Sequence, residues 1–348
     1  MQSHEDILGN RYKKIRKIGK GSYGSVYECL DMRTNEKVAI KKLQEIQDIS
    51  DAKRVLREII ILKACHHDNL LELKGFHLEP KNNFYEVYLV TELMDFDMYR
   101  VIKKGRDEMT EEHIQYVMYQ IFLGLYYLHE NNVIHRDIKP NNILLNDSCD
   151  VKICDFGFAR EIQQGSSADN TEYVVTRYYR APEIMLNSRK YDSAVDIWSV
   201  GCTFFELIDS RILFGEANNY IALLEMIIQM LGTPSTETLN FIENENAINW
   251  IKTQKHAPMR KASTYLKNKG ISAPALDLLD KCLVFDPRHR ISAKEALEHP
   301  YFEDLFEAEN DLNIMKLEFD FQFEQNPNLT MEELKKRLFK EVMNYQTG

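Results

Sequence analysis

The sequence predicts an α+β fold in two parts, strand-rich first and helix-rich after, and three stretches carry that reading. From Tyr12 to Lys42, YKKIRKIGKGSYGSVYECLDMRTNEKVAIKK, short apolar runs alternate with polar ones around a turn at Arg33-Thr34-Asn35-Glu36. From Thr110 onward, Ile114, Val117, Met118, Ile121, Leu125 and Leu128 recur at helical spacing. Between the two, FYEVYLVTE (84–92) reads as a last strand and LMDFD (93–97) as a connector.

Within the first part, one helix is expected over Asp51–Ala64, capped by Ser50 or Asp48, with Val55, Leu56, Ile59 and Leu62 as its apolar stripe. Glu58 falls on that stripe. A carboxylate there needs a partner, either a cation from another element or, on the surface, Arg54 four residues back. In the second part, Thr110 is the expected cap of a long helix closed by Asn131-Asn132. The stretch VIHRDIKPNNILLNDSCDVKICDFG (133–157) then reads as loop, strand, turn, strand, loop, with strands at 143–145 and 151–153. Such a hairpin would bring Asn142 and Asp155 together at its open end, where an amide oxygen and a carboxylate suit a hard cation such as Mg²⁺. Asp137 is then left for another task. FAREIQQGSSADNTEYVVTRYYRAPE (158–183) opens without periodicity and is expected to be mobile unless something pins it. A helix over Asp192–Leu207 reads as buried on all sides.

Composition fits an enzyme. Hydrophobic residues are 44% and charged residues 28% of a 348-residue chain, enough for two cores. The longest aliphatic run, Ile59 to Leu62, cannot cross a bilayer, and MQSHEDILGN has no apolar signal segment, so an intracellular, cytoplasmic or also nuclear protein with no membrane partner is expected. Six cysteines, at 29, 65, 149, 154, 202 and 282, form no C-x-x-C pair, which argues against a disulfide frame or zinc site. A net charge of −10 argues against a nucleic-acid surface and favours basic partners.

Gly19-x-Gly21-x-x-Gly24-x-Val26 lies between two expected strands, so it fits neither a dinucleotide fingerprint, which opens a helix, nor a Walker loop. It fits a hairpin whose glycines let backbone N–H groups approach phosphates. Val38-Ala39-Ile40-Lys41 follows on the next strand, where Lys41 and Lys42 point to opposite faces. With His135-Arg136-Asp137 to Asn142 and Asp155-Phe156-Gly157 downstream, the chain resembles the protein kinases, whose bilobal fold the two parts would then form. That resemblance implies ATP and Mg²⁺ as cofactors. It makes Asp137 the base or orienter and Lys139 the residue that steadies the γ-phosphate, with Asn142 and Asp155 on metal. Lys41, paired with Glu58, would hold the α- and β-phosphates. The nucleotide would further meet Ile18, Gly19, Gly21, Gly24, Val26, Ala39, Thr91 behind the adenine, Met94 at the connector and Asp97 near the ribose.

Ala181-Pro182-Glu183 matches the end of a kinase activation segment, and Thr171-Glu172-Tyr173 before Val175-Thr176-Arg177-Tyr178-Tyr179-Arg180 is similar to the mitogen-activated protein (MAP) kinases of the extracellular-signal-regulated type. The resemblance runs from about Tyr12 to Gln346. It implies an extension over 1–11 and a kinase domain over 12–302 (small lobe 12–91, hinge 92–96, large lobe 97–302, insert about 231–270). The remaining 303–348 would return to the small lobe. It also implies regulatory phosphorylation of Thr171 and Tyr173 by a dual-specificity MAP kinase kinase. Arg57, Arg136 and Arg160 would receive the phosphothreonine, and Arg177 and Arg180 the phosphotyrosine. Asp196 would brace the catalytic loop and Arg290 would pair with Glu183. Protein substrates carrying Ser/Thr-Pro and basic docking peptides, the latter on Glu307, Glu309 and Asp311, are the implied partners. Departures exist: Thr91 stands where those relatives have Gln, and Tyr178 where they have Trp. A cyclin-dependent type of kinase and an inactive kinase-fold scaffold are the alternative readings.

Overall fold

The computed structural model describes residues 7–8, 10–21, 24–43, 46, 48–81, 84–104, 109–161, 177–186 and 192–346. The chain divides into two units, one formed by Met1–Asp95, Cys154–Phe158 and Leu317–Gly348, the other by Phe96–Ile153 and Ala159–Lys316.

In the first unit, alternation of apolar residues gives strands β1 (Ile7–Leu8), β2 (Tyr12–Gly21), β3 (Gly24–Asp31), β4 (Glu36–Lys42), β5 (Leu73–Lys81) and β6 (Phe84–Glu92). They form one antiparallel sheet in the order β1-β2-β3-β4-β6-β5. Successive side chains on a strand face opposite sides. Val38 and Ile40 of β4 therefore join Leu8, Tyr12, Cys29, Tyr88 and Val90 in one buried cluster, while Ala39 and Lys41 turn to the other face. Helix α1 (Ile49–Ala64) follows β4, and its start is set by Asp48, whose side chain accepts from Asp51 N at 2.8 Å. The helix begins two residues before the position expected from the sequence, because this cap lies ahead of Ile49.

The second unit opens with β7 (Phe96–Asp97), α2 (Met98–Lys104), α3 (Glu111–Glu130) and β8 (Val133–Ile134). Thr110 caps α3 with a reciprocal bond to His113, and Asn131 ends it. Strands β9 (Ile143–Leu145) and β10 (Val151–Ile153) pair antiparallel, Ile143 opposite Ile153, and β11 (Arg160–Glu161) pairs with β8. Then come α4 (Pro182–Met185), α5 (Ala194–Asp209), α6 (Tyr220–Leu231), α7 (Glu245–Thr253), α8 (Ala273–Cys282), α9 (Ala293–Leu297) and α10 (Ala308–Asp311). Every residue of α5 from Val195 to Asp209 is buried, so this helix is the axis of the unit. Trp198 stacks on Phe214 with ring centres 6.2 Å apart, and Phe122, Phe204 and Phe302 are fully buried around it.

The tail completes the first unit with α11 (Gln322–Gln325) and α12 (Met331–Gln346), and α12 packs on α1 and β5. Lys63 of α1 reaches Glu341 at 2.7 Å, and the Tyr345 hydroxyl donates to Leu73 O at 2.8 Å. Among the described residues no helix is long and apolar enough to cross a membrane.

Candidate active site

Two groups of side chains gather the motif residues, one in each unit. In the first, strand register does the work. Val26 sits opposite Lys41, Ala39 opposite Thr91, and Gly19 opposite Val26, with Gly21 facing Gly24 at the tip of the β2–β3 hairpin. Thr91 and Ala39 are both buried, so a small side chain on each strand leaves room on the face of the sheet that Lys41 shares. Ile18 is half-buried, as is Met94 beyond the end of β6. Lys41 Nζ lies 2.6 Å from Glu58 Oε1, with the two side chains 15% and 5% exposed. Lys42, one residue on, faces the opposite side and pairs with Glu86 at 2.6 Å. Burial alone would lower the pKa of Lys41. The Glu58 and Asp155 carboxylates outweigh it and raise that pKa, so the lysine stays charged.

Asp155 belongs to the same unit. Its φ of +66° is uncommon for a non-glycine residue and costs on the order of 1 kcal/mol or more, which the surrounding packing must hold. Phe156 next to it is completely buried, Phe158 lies under the Arg54 guanidinium at 4.9 Å, and Gly157 O accepts from Arg57. Asp155 Oδ1 is buried and has no hydrogen-bond partner among the described residues. A buried carboxylate oxygen left so is costly unless a cation meets it.

In the second unit the side chains converge on Asp137, which is 4% exposed. Its Oδ2 accepts from Lys139 Nζ at 2.7 Å and from Asn142 Nδ2 at 2.8 Å, and the same Asn142 nitrogen reaches Asp137 O at 2.8 Å. With its NH₂ committed in this way, Asn142 has its amide oxygen to offer a cation. Asn142 immediately precedes the Ile143–Ile153 pair at the open end of the hairpin, and Asp155 follows that pair by two residues.

Beneath this loop Asp196, at the start of α5, is fully buried and accepts from His135 N at 2.8 Å, Arg136 N at 2.7 Å and His129 Nε2 at 2.9 Å. Burial would push its carboxyl up, but His129 and the backbone donor hold it below its ordinary 3.8. The two N–H bonds fix the chain at Arg136, whose φ is +68°. A small hollow beside Asp137 is lined by Arg136, Tyr179, Arg180, Ala181, Ile184 and Val195. Its wall is anchored from behind, the Tyr179 hydroxyl donating to Glu206 Oε2 at 2.6 Å and Ser199 Oγ to Tyr179 O at 2.8 Å.

Comparison with known proteins gives the family. The protein kinase domain matches residues 12–302. Mitogen-activated protein kinase 6 of Arabidopsis thaliana is 43% identical over 349 residues, 98% of this chain and 86% of the relative. The chain belongs to the MAP kinase family. Mitogen-activated protein kinase 4a of Physcomitrium patens is likewise 43% identical over 342 residues, covering 97% of this chain and 89% of its own length. Mitogen-activated protein kinase 13 of Arabidopsis thaliana is 42% identical over 350 residues, 98% of this chain and 94% of its own. The protein is accordingly a serine/threonine protein kinase.

The remaining sequence-expected positions of this MAP kinase are distributed as follows. Thr171, Tyr173 and Val175 lie outside the described residues. Arg57 is engaged by the tail residue Glu324, with Nε at 2.9 Å and Nη2 at 2.5 Å from Oε1, a contact nothing in the local sequence announced. Arg160 sits in β11 opposite Ile134. Arg177 donates to Asn218 O, and Arg180 lies over the Tyr220 ring at 5.5 Å. Asp97 accepts from Arg100 N at 2.9 Å and so caps α2. Of the acidic tail, Asp311 accepts from the Tyr119 hydroxyl and from Glu307 N, and Glu307 Oε2 takes Asn310 Nδ2 at 2.7 Å. The Glu309 side chain lies outside the described residues. Arg290 pairs with Glu183 at 2.7 Å, both side chains fully buried.

Proposed function

We propose that this MAP kinase transfers the γ-phosphoryl group of ATP, with Mg²⁺, to Ser or Thr hydroxyls followed by Pro. The observation that carries the reading is Asp137 held by Lys139 and Asn142 beside a shallow, anchored hollow. A peptide hydroxyl entering there donates to the Asp137 carboxylate, which orients it and takes its proton as the oxygen attacks. Lys139, bound to the same carboxylate, is close enough to neutralise charge on the transferring group. The charged Lys41, held by Glu58, suits the α- and β-phosphates, and the glycines of the β2–β3 hairpin leave their backbone N–H groups approachable. The buried oxygen of Asp155 in the first unit, without a partner among the described residues, and the amide oxygen of Asn142 in the second are each a kind of donor that suits a hard divalent cation. Mg²⁺, when bound, would neutralise phosphate charge and hold the triphosphate in line.

Preference for Pro follows from the Arg177–Arg180 stretch. In similar kinases the second Arg occupies a backbone carbonyl of the preceding loop, so a substrate N–H would lose its acceptor, and Pro has none to lose. The switch is phosphorylation of Thr171 and Tyr173 by a dual-specificity MAP kinase kinase, with Arg57, Arg136 and Arg160 receiving one phosphate and Arg177 and Arg180 the other. Basic docking peptides are the fitting partners for Glu307, Glu309 and Asp311, and the site of action is the cytoplasm and nucleus. Transfer from ATP to paired peptides differing only in Ser-Pro or Ser-Ala tests the reading. The Ser-Pro peptide is expected to react roughly five- to 150-fold faster, by the cost of one unsatisfied donor, about 1–3 kcal/mol. Equal rates would refute it.

A further inference from the structure

Acid and base are unevenly spread along the second unit. From Asn246 to Leu276, 31 residues, there is no Asp or Glu against six Lys and Arg, in a chain whose net charge is −10. Lys269 is committed to Asp209 at 2.5 Å, and Lys261 lies 3.8 Å from Asp280. Lys252, Lys255, Arg260 and Lys267 are exposed. Among them stand Met259, at 80% the most exposed large apolar side chain of the described residues, and Tyr265 at 45%.

The stretch is pinned. Ile251, Ala262 and Leu266 are buried, and Ser263 N and Oγ donate to the Asp280 carboxylate at 2.9 and 2.7 Å. At the end of α6, Thr233 N donates to Ala257 O at 3.0 Å, Ala257 N to Thr233 Oγ1 at 2.9 Å and Arg260 N to Leu231 O at 3.0 Å. Gly232 has φ +103°, and a Cβ there would come within 2.6 Å of Met259 Cα. The Met259 backbone therefore lies against Gly232 while its side chain stands in solvent.

Cations alone would read as a solvated face. A Met fixed among them is ordered before it inserts into anything, so apolar burial adds to charge attraction, the combination that holds proteins on anionic bilayers. A nucleic-acid backbone would use the cations and leave Met259 without a role. We infer that the 252–267 stretch is a peripheral contact for an anionic lipid surface, with Lys252, Lys255, Arg260 and Lys267 at the headgroups and Met259 at the acyl boundary. Such a contact needs no spanning helix, so the expectation of no membrane partner, which rested on the missing apolar run, does not bear on it.

The test is sedimentation of the full-length protein with phosphatidylcholine vesicles, with and without phosphatidylserine, over a salt series. Wild type is expected to bind only the phosphatidylserine vesicles and to be released as salt rises. Lys255→Ala with Arg260→Ala should weaken binding about 25-fold, about fivefold for each cation near an anionic surface. Met259→Ser should weaken it about tenfold at every salt concentration, because apolar burial is not screened. Lys335→Ala with Lys340→Ala, on α12 of the other unit, should stay within about twofold of wild type. Thermal unfolding and peptide phosphorylation in solution are expected to be unchanged in every variant, which separates loss of contact from loss of fold. Absence of wild-type binding to phosphatidylserine vesicles would overturn the inference. So would equal losses in the α12 variant, unchanged binding in the 255/260 and 259 variants, or capture of duplex DNA or an acidic peptide in place of vesicles.

Discussion

Asp137 differs from the other carboxylates of this kinase in what it meets. Its Oδ2 takes two donors from Lys139 and Asn142, whereas Glu58 meets Lys41 and Asp196 serves backbone N–H groups. Asp137→Asn is therefore expected to lower phosphoryl transfer by on the order of 10²–10⁴, while Mg·ATP affinity by calorimetry stays near that of wild type. Near-native turnover would assign the hydroxyl to another group. These residues were readable because each stands inside a short motif whose spacing is set by one loop or one strand. The choice between Lys41 and Lys42 was open from alternation alone. The structure resolves it, since Glu58 on α1 faces one of them and Glu86 on the neighbouring strand the other. Asp97 shows the limit: its carboxylate caps α2 through Arg100 N, a use that a ribose-facing expectation from family resemblance did not include.

Helix α5 carries its function in one buried residue. Asp196 joins α5 to His129 of α3 and to the backbone of the catalytic loop, and its carboxyl is held below 3.8. A depressed carboxyl contributes stability that is present above its unfolded pKa and is lost as pH falls through its folded one. Asp196→Asn should therefore destabilise the protein at neutral pH. The gap from wild type in denaturant titrations should then narrow as pH drops below about 4, where Asp196 of the unfolded chain begins to take up its proton while the folded one is still ionised. A gap that is constant with pH would contradict the assignment. The sequence led to a helix over 192–207, buried on all sides; it runs instead from Ala194 to Asp209, with the Asp192 side chain accepting from Ala194 N at 2.9 Å ahead of its start and Ser210 in the left-handed region at its end. Helix α1 starts at Ile49, two residues ahead of the expected Asp51, and its cap is Asp48, one of the two residues the sequence offered for that place. Caps act through side chains that periodicity does not weigh.

Taken whole, the chain pairs residues far apart in sequence. Glu324 and Arg57 are 267 positions apart, and Glu341 and Lys63 are 278 apart. No local pattern signals such contacts; acidic residues of the tail read equally well as a solvated face until a partner is seen. Strand alternation, helical stripes and glycine turns are written within a dozen residues and were legible, whereas tail-to-helix pairing depends on the completed fold. The switch proposed for Thr171 and Tyr173 is of the same long-range kind, with phosphate charge on one stretch acting through arginines placed elsewhere in the chain. Its direct measurement is the rate of transfer from ATP to a Ser-Pro peptide by the unphosphorylated, singly and doubly phosphorylated forms side by side. The account predicts that only the doubly phosphorylated form reaches full rate, with each singly phosphorylated form well below it. An unphosphorylated protein as active as the doubly phosphorylated one would contradict it.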